Sequence, residues 1–166
     1  MYVLSYQPII RQSMFGVLCA LSLLTARAVQ ADDVDAVFNT NPVFVPDNGN
    51  NPGPLVTLIQ TVINTPGPRE LVIHYFAECA VSGAAAGSTR FIDYTILVNG
   101  VPVPPTNVID SALCQATVDD ESVGTVVVKP VSEGNHTILV QGQMRGPAPG
   151  QGVVDEQSLV IEEEGP

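Results

Sequence analysis

The chain has 166 residues, with 17 acidic against 6 basic side chains and a formal net charge of −11 at pH 7. Such a surface repels a phosphate backbone and anionic lipid, which argues against nucleic acid as a partner. Valine, isoleucine and threonine are abundant, tryptophan is absent and the part after the first thirty residues shows no helical periodicity, so the expectation is one strand-built domain with a real core.

Residues 1–13 carry Arg11 and no acid. Met14 to Ala26 follows as a run of about thirteen mostly apolar residues, the span of a secretory signal core and short of the roughly 20 needed to cross a bilayer. Small residues then stand at "ARA" (Ala26–Ala28) and "VQA" (Val29–Ala31). The reading is a helical signal peptide over 1–31, cut after Ala31 so that the mature chain opens at Asp32, with cleavage after Ala28 as the alternative. A retained anchor and a lipoprotein are rival readings, but a lipoprotein wants a small residue before its cysteine, and Leu18 precedes Cys19. Export would remove Arg11, Arg27 and Cys19. Four basic residues (Arg69, Arg90, Lys129, Arg145) then face all 17 acids, a net charge of −13. Cys79 and Cys114 are left as an even pair in an oxidising compartment, which predicts one disulfide. The expected location is secreted or periplasmic, with no stable membrane insertion after cleavage.

Residues 32–54 read as an irregular segment with short edge strands at Val34–Phe38 and Val43–Val45, interrupted by Asn, Pro and Gly. "LVTLIQTVINT" (Leu55–Thr65) is strand-like, and "PGPRE" (Pro66–Glu70) turns into the next strand. "LVIHYFAECAV" (Leu71–Val81) alternates, with Ile73, Tyr75, Ala77 and Cys79 on one face and Val72, His74, Phe76 and Glu78 on the other. In "TRFIDYTILVNGVPV" the residues Ile92, Tyr94, Ile96 and Val98 share a face, and Asn99-Gly100 is the preferred two-residue hairpin turn. Pro102, Pro104 and Pro105 require the return strand to be short or on an edge, with Cys114 in the loop beyond. "VGTVVVKPV" (Val123–Val131), "HTILVQGQM" (His136–Met144) and "VVDEQSLVIEE", with Leu159 and Ile161 inward, complete the set. The prediction is all-β: an antiparallel two-sheet β-sandwich of seven to nine strands, jelly-roll or immunoglobulin-like, with its core over 55–162 and an acidic tail at 163–166.

Groups that could do chemistry are few. The sequence contains no GxSxG elbow and no HExxH. His74 and Glu78 share a strand face and are candidates for ligand binding; His136 reads as a polar residue at a strand start. The carboxylates Asp119, Asp120 and Glu121, joined by Asp155 and Glu156 if the fold brings them together, are metal candidates, with calcium the cation that oxygen ligands suit. "DNGNN" (Asp47–Asn51) offers alternate oxygen side chains without a closing glutamate. "NHT" (Asn135–Thr137) fits the glycosylation pattern. No catalytic residue and no cofactor is assigned.

"GNHTILVQ" (Gly134–Gln141) and "DEQSLVIEE" (Asp155–Glu163) resemble the last strands of secreted β-sandwich modules, among them carbohydrate-binding modules. The resemblance implies a jelly-roll-like sandwich and a glycan ligand held by exposed aromatic rings. Such sites stack sugar rings on exposed tryptophan or tyrosine; this chain has no tryptophan, and its mature part has Tyr75 and Tyr94, both on predicted inward faces. The function expected is a non-enzymatic binding or structural module with an unknown protein or a glycan as partner. The alternatives are a calcium-dependent or carbohydrate-binding adhesin-like domain and, after it, a hydrolase.

Overall fold

Ten strands form among the residues that the computed structural model describes, 33–47, 51–82, 90–104, 112–115, 121–146 and 150–165. The expected signal peptide and its cleavage site lie outside them. The strands are β1 (Val34–Asn39), β2 (Val43–Pro46), β3 (Val56–Thr65), β4 (Arg69–Ser82), β5 (Phe91–Val98), β6 (Val101–Pro102), β7 (Ala112–Gln115), β8 (Glu121–Val131), β9 (Gly134–Arg145) and β10 (Gln151–Glu164). The count passes the expected nine by one, because a short strand, β7, forms around Cys114 where the sequence predicts a loop.

All pairings are antiparallel. The first sheet runs β1–β10–β4–β8, with β2 also on β10; the second runs β3–β9–β5–β6, with β7 also on β5. The pairs β2/β10, β3/β9, β4/β8 and β5/β7 are nested in sequence and fall in alternate sheets. That is one long hairpin rolled on itself, the jelly roll rather than the immunoglobulin topology.

Alternation selects the core. Ile73, Tyr75, Ala77 and Cys79 on β4, Ile92, Tyr94, Ile96 and Val98 on β5, and Leu159 and Ile161 on β10 all point between the sheets and are buried. On β10 the alternation changes phase. Three steps from Asp155 to Ser158 oppose two on β4, from Glu78 to Phe76, with Glu156 at φ 44°. This one-residue bulge lets Val154 and Gln157 both face inward. Asn99 (φ 52°) and Gly100 (φ 77°) form the predicted turn between Val98 and Val101, where Gly100 supplies the left-handed backbone without a Cβ penalty. Pro130 lies on β8, an edge strand, the place in a sheet where proline is tolerated.

Two expectations are corrected. Cys114 lies on β7, not in a loop. The acidic tail at 163–166 does not begin there either, because β10 continues through Glu164 and Glu163 is buried. Glu163 falls on the inward set with Leu159 and Ile161. Its N–H donates to the Asp33 carbonyl at 3.0 Å, and the Arg69 guanidinium stands 3.9 Å from its carboxylate.

Cys79 and Cys114 are bonded, with Cα atoms 6.0 Å apart, inside the 4.4–6.8 Å that a bridge requires. Because β4 belongs to the first sheet and β7 to the second, the bond staples the two layers together.

Candidate functional site

A solvated antiparallel sheet alternates apolar inside and polar outside. The second sheet largely obeys this: Thr57, Gln60, Asn64 and Thr137 lie exposed on its outer face, with Val62 an exposed apolar residue among them. The first sheet does not. Register aligns Phe38, Ser158, Phe76 and Gly124 in one row across β1, β10, β4 and β8. The next row is Ala36, Val160, His74 and Val126, and the third is Val34, Glu162, Val72 and Val128. Phe44 on β2 extends the face beside Val153 and Ala80. Val34, Phe38, Phe44, Phe76, Val126 and Val128 are between 47% and 70% exposed.

The face is ordered as well as apolar. The Phe76 ring lies over the Gly124 backbone, where a Cβ would fall inside ring contact. It also stacks on His74, with centroids 6.4 Å apart and planes 17° from parallel. Glu162, the carboxylate within the rows, has His74 Nε2 at 3.6 Å. Glu78 and Asp155 pair across one end of the rows, and Glu70 and Glu164 across the other.

The sequence candidates disperse on this frame. His74 and Glu78 lie on the same outer face, as alternation predicts, but four residues along an extended strand separate them by about 13 Å, with Phe76 between. The carboxylate beside His74 comes from β10 instead. Asp155 and Glu156 form the bulge, where the Glu156 N–H donates to Asp155 Oδ1 at 2.9 Å. Glu121 opens β8 opposite Cys79, so all of β4 stands between it and β10. Asp119 and Asp120 lie outside the described residues. Among the described residues no three His, Cys, Asp or Glu side chains are grouped to hold a metal ion.

His136, read as a strand-end polar residue, is buried at the end of the sandwich away from the disulfide. Its Nε2 donates to the Ser132 carbonyl at 2.8 Å. Asn99 accepts the Thr137 N–H on Oδ1, which turns its Nδ2 to donate to His136 Nδ1 at 3.0 Å. Thr65 Oγ1 donates to the same Ser132 carbonyl at 2.8 Å. The imidazole thereby ties two turns to the core. Nearby, burial and the neighbouring Asp33 carboxylate push the Glu163 carboxyl above its ordinary value, against the pull of Arg69. In the core, burial raises the Tyr75 phenol, which donates to Gln157 Oε1 at 3.0 Å and stays neutral.

Near the disulfide, Arg90 forms an ion pair with Asp47, and both side chains are almost wholly buried. On the second sheet Asp93 receives Arg145 Nε and, at 3.0 Å, Gln143 Nε2. Sequence reasoning missed the Arg90–Asp47 pair, because 43 residues separate its members. It also missed the apolar outer face, although a signal was present. "TVVVK" (Thr125–Lys129) and "VDAVF" (Val34–Phe38) place apolar residues at both phases of the alternation, the pattern of strands covered on two sides.

No protein-family model and no curated protein sequence matches the chain. Solved structures do match. The structure of infectious bursal disease virus, Gx strain, superposes with a TM-score of 0.60 at 16% identity, covering 82% of this chain and 33% of the viral one. The Gt strain gives 0.58 at 16% identity, covering 82% and 34%. The VP2 subviral particle of the same virus gives 0.57 at 15%, covering 82% and 33%. The chain spans about a third of the length of these viral chains. The likeness is one of fold.

Proposed function

We propose that this chain is an exported, non-enzymatic module that works by surface contact, as a structural or binding unit in a secreted or periplasmic setting. The observation that carries the reading is the buried Cys79–Cys114 bond, which persists in an oxidising compartment and is rare in a reducing one. With Cys19 inside the apolar leader, these are the two cysteines of residues 32–166, and both are spent on joining the sheets. Among the described residues, His136 ties turns, Arg90 holds Asp47 and Arg145 holds Asp93, so these groups are engaged in the fold. What the molecule presents outward is a rigid apolar sheet face, and surface contact is what such a face does.

The test is the state of the protein after expression of the full chain in a cell with a secretory route. Protein from the extracellular or periplasmic fraction is expected to begin at Asp32, or at Val29 for the alternative site, by intact mass, and to contain no titratable thiol when unfolded without reductant. Cytosolic protein that keeps residues 1–28 and two reactive thiols besides Cys19 would overturn the reading.

A further inference from the structure

The two outer faces of the sandwich differ in balance: the exposed positions of the second sheet are mostly threonine, glutamine and asparagine, with Val62 among them, whereas the first sheet carries six exposed valines and phenylalanines. From their exposures, the six large apolar side chains of the first sheet leave roughly 600 Å² uncovered, taking about 200 Å² for a free phenylalanine and about 150 Å² for a valine. Half-buried Val72, Val153 and Val160 add to it. That reaches the upper end of the largest apolar patch on ordinary monomers and approaches the roughly 800 Å² that each partner gives to a stable interface.

We infer that this face docks a second copy of the same chain, sheet against sheet about a two-fold axis. The area is what one half of a homodimer supplies, and the make-up is that of a homodimer core, apolar at the centre with its charges toward the rim. Stacked sheets pack about 10 Å apart by interdigitating apolar side chains, as the inner face of this same sheet already does against the second sheet. Phe76, seated on Gly124 and stacked on His74, is held in place before association and loses little freedom in it. Glu162, the carboxylate such a contact would cover, already has His74 beside it. The acidic pairs at both ends of the rows then meet like charges across the two-fold, so added salt strengthens the dimer, whereas it would weaken docking of a basic partner.

This inference rests on the surface-contact reading, and one sample separates the two. Sedimentation velocity of the exported, disulfide-bonded protein is expected to show a dimer with a dissociation constant on the order of micromolar or tighter, tightening with sodium chloride. Phe38→Ser/Phe76→Ser should weaken it at least a hundredfold while the β circular-dichroism spectrum is kept. Val128→Glu provides a second variant that adds a like charge to the same face. Val62→Ser, on the outer face of the second sheet, should leave the dimer unchanged. A wild-type monomer at about a hundred micromolar overturns self-association, as does a dimer indifferent to the face variants. Monomers that bind neutral phosphatidylcholine vesicles through Phe38 and Phe76 also overturn it, yet leave the surface-contact reading standing. Failure of the export reading appears separately, in the mass and thiol count.

Discussion

Removing the Cys79–Cys114 bond has a magnitude that follows from where it sits. A bridge across 35 residues takes loop-closure entropy from the unfolded chain, worth about 4 kcal/mol at 25 °C in the chain-entropy model. Reduction of the native protein removes only that constraint, since both sulfurs stay in place. The variant Cys79→Ala/Cys114→Ala also deletes two buried sulfurs, which adds about 1 kcal/mol of lost packing for each. Urea unfolding followed by circular dichroism, with and without reductant, should therefore rank oxidised above reduced above the alanine pair. The gaps should be about 4 and then about 2 kcal/mol. In thermal melts the first gap corresponds to about 15 °C for a domain of this size. A reduction loss under about 1 kcal/mol would refute the staple as a source of stability. An alanine pair as stable as the reduced protein would refute the packing contribution.

Two further outcomes follow from single contacts. Gly124→Ala puts a methyl group into the Phe76 ring and should cost about 1–2 kcal/mol, but in a Phe76→Ala background it should be neutral or stabilising, since it then only stiffens the unfolded chain. A double-mutant cycle reads the coupling, and equal costs in both backgrounds would sink the contact. Glu163 has a folded pKa above its unfolded value, so the native state binds the proton more tightly and its contribution to stability is lost as pH rises through the folded pKa. Glu163→Gln should remove that loss, so the stability of the variant relative to the native protein should grow from about pH 4 to about pH 7. A constant or shrinking difference over that range contradicts the assignment.

Much of the fold was legible in local pattern. Period-two alternation in β4 and β5 named the inward faces, Asn99-Gly100 named the hairpin turn, and Pro102, Pro104 and Pro105 required the short return strand that β6 is. Cysteine arithmetic named the disulfide partners. Each of these rests on interactions within a few residues or on counting, which is why the amino-acid order alone could determine them. The β10 bulge was not legible, because a one-residue phase shift becomes visible only against the register of β4. Neither was the burial of Glu163, whose neighbours Asp33 and Arg69 arrive from distant parts of the chain.

The site was legible only as a pattern without a place. His74 and Glu78 share a face, but extended backbone keeps them about 13 Å apart, and the carboxylate that meets His74 is supplied by a strand more than eighty residues later. Apolar residues at both phases of the alternation, Val126 to Val128 in β8 and Val34, Ala36, Val37 and Phe38 in β1, said that these strands carry apolar side chains on both faces. They could not say that the outward residues of four strands fall into common rows. Composition and alternation by themselves determined a strand-built acidic domain, because those properties belong to single segments, and counting cysteines named the disulfide. Sheet order, the rolled-hairpin topology and the assembly of one exposed apolar face were decided by tertiary structure, because each depends on which strands lie side by side, and no local preference encodes a neighbour.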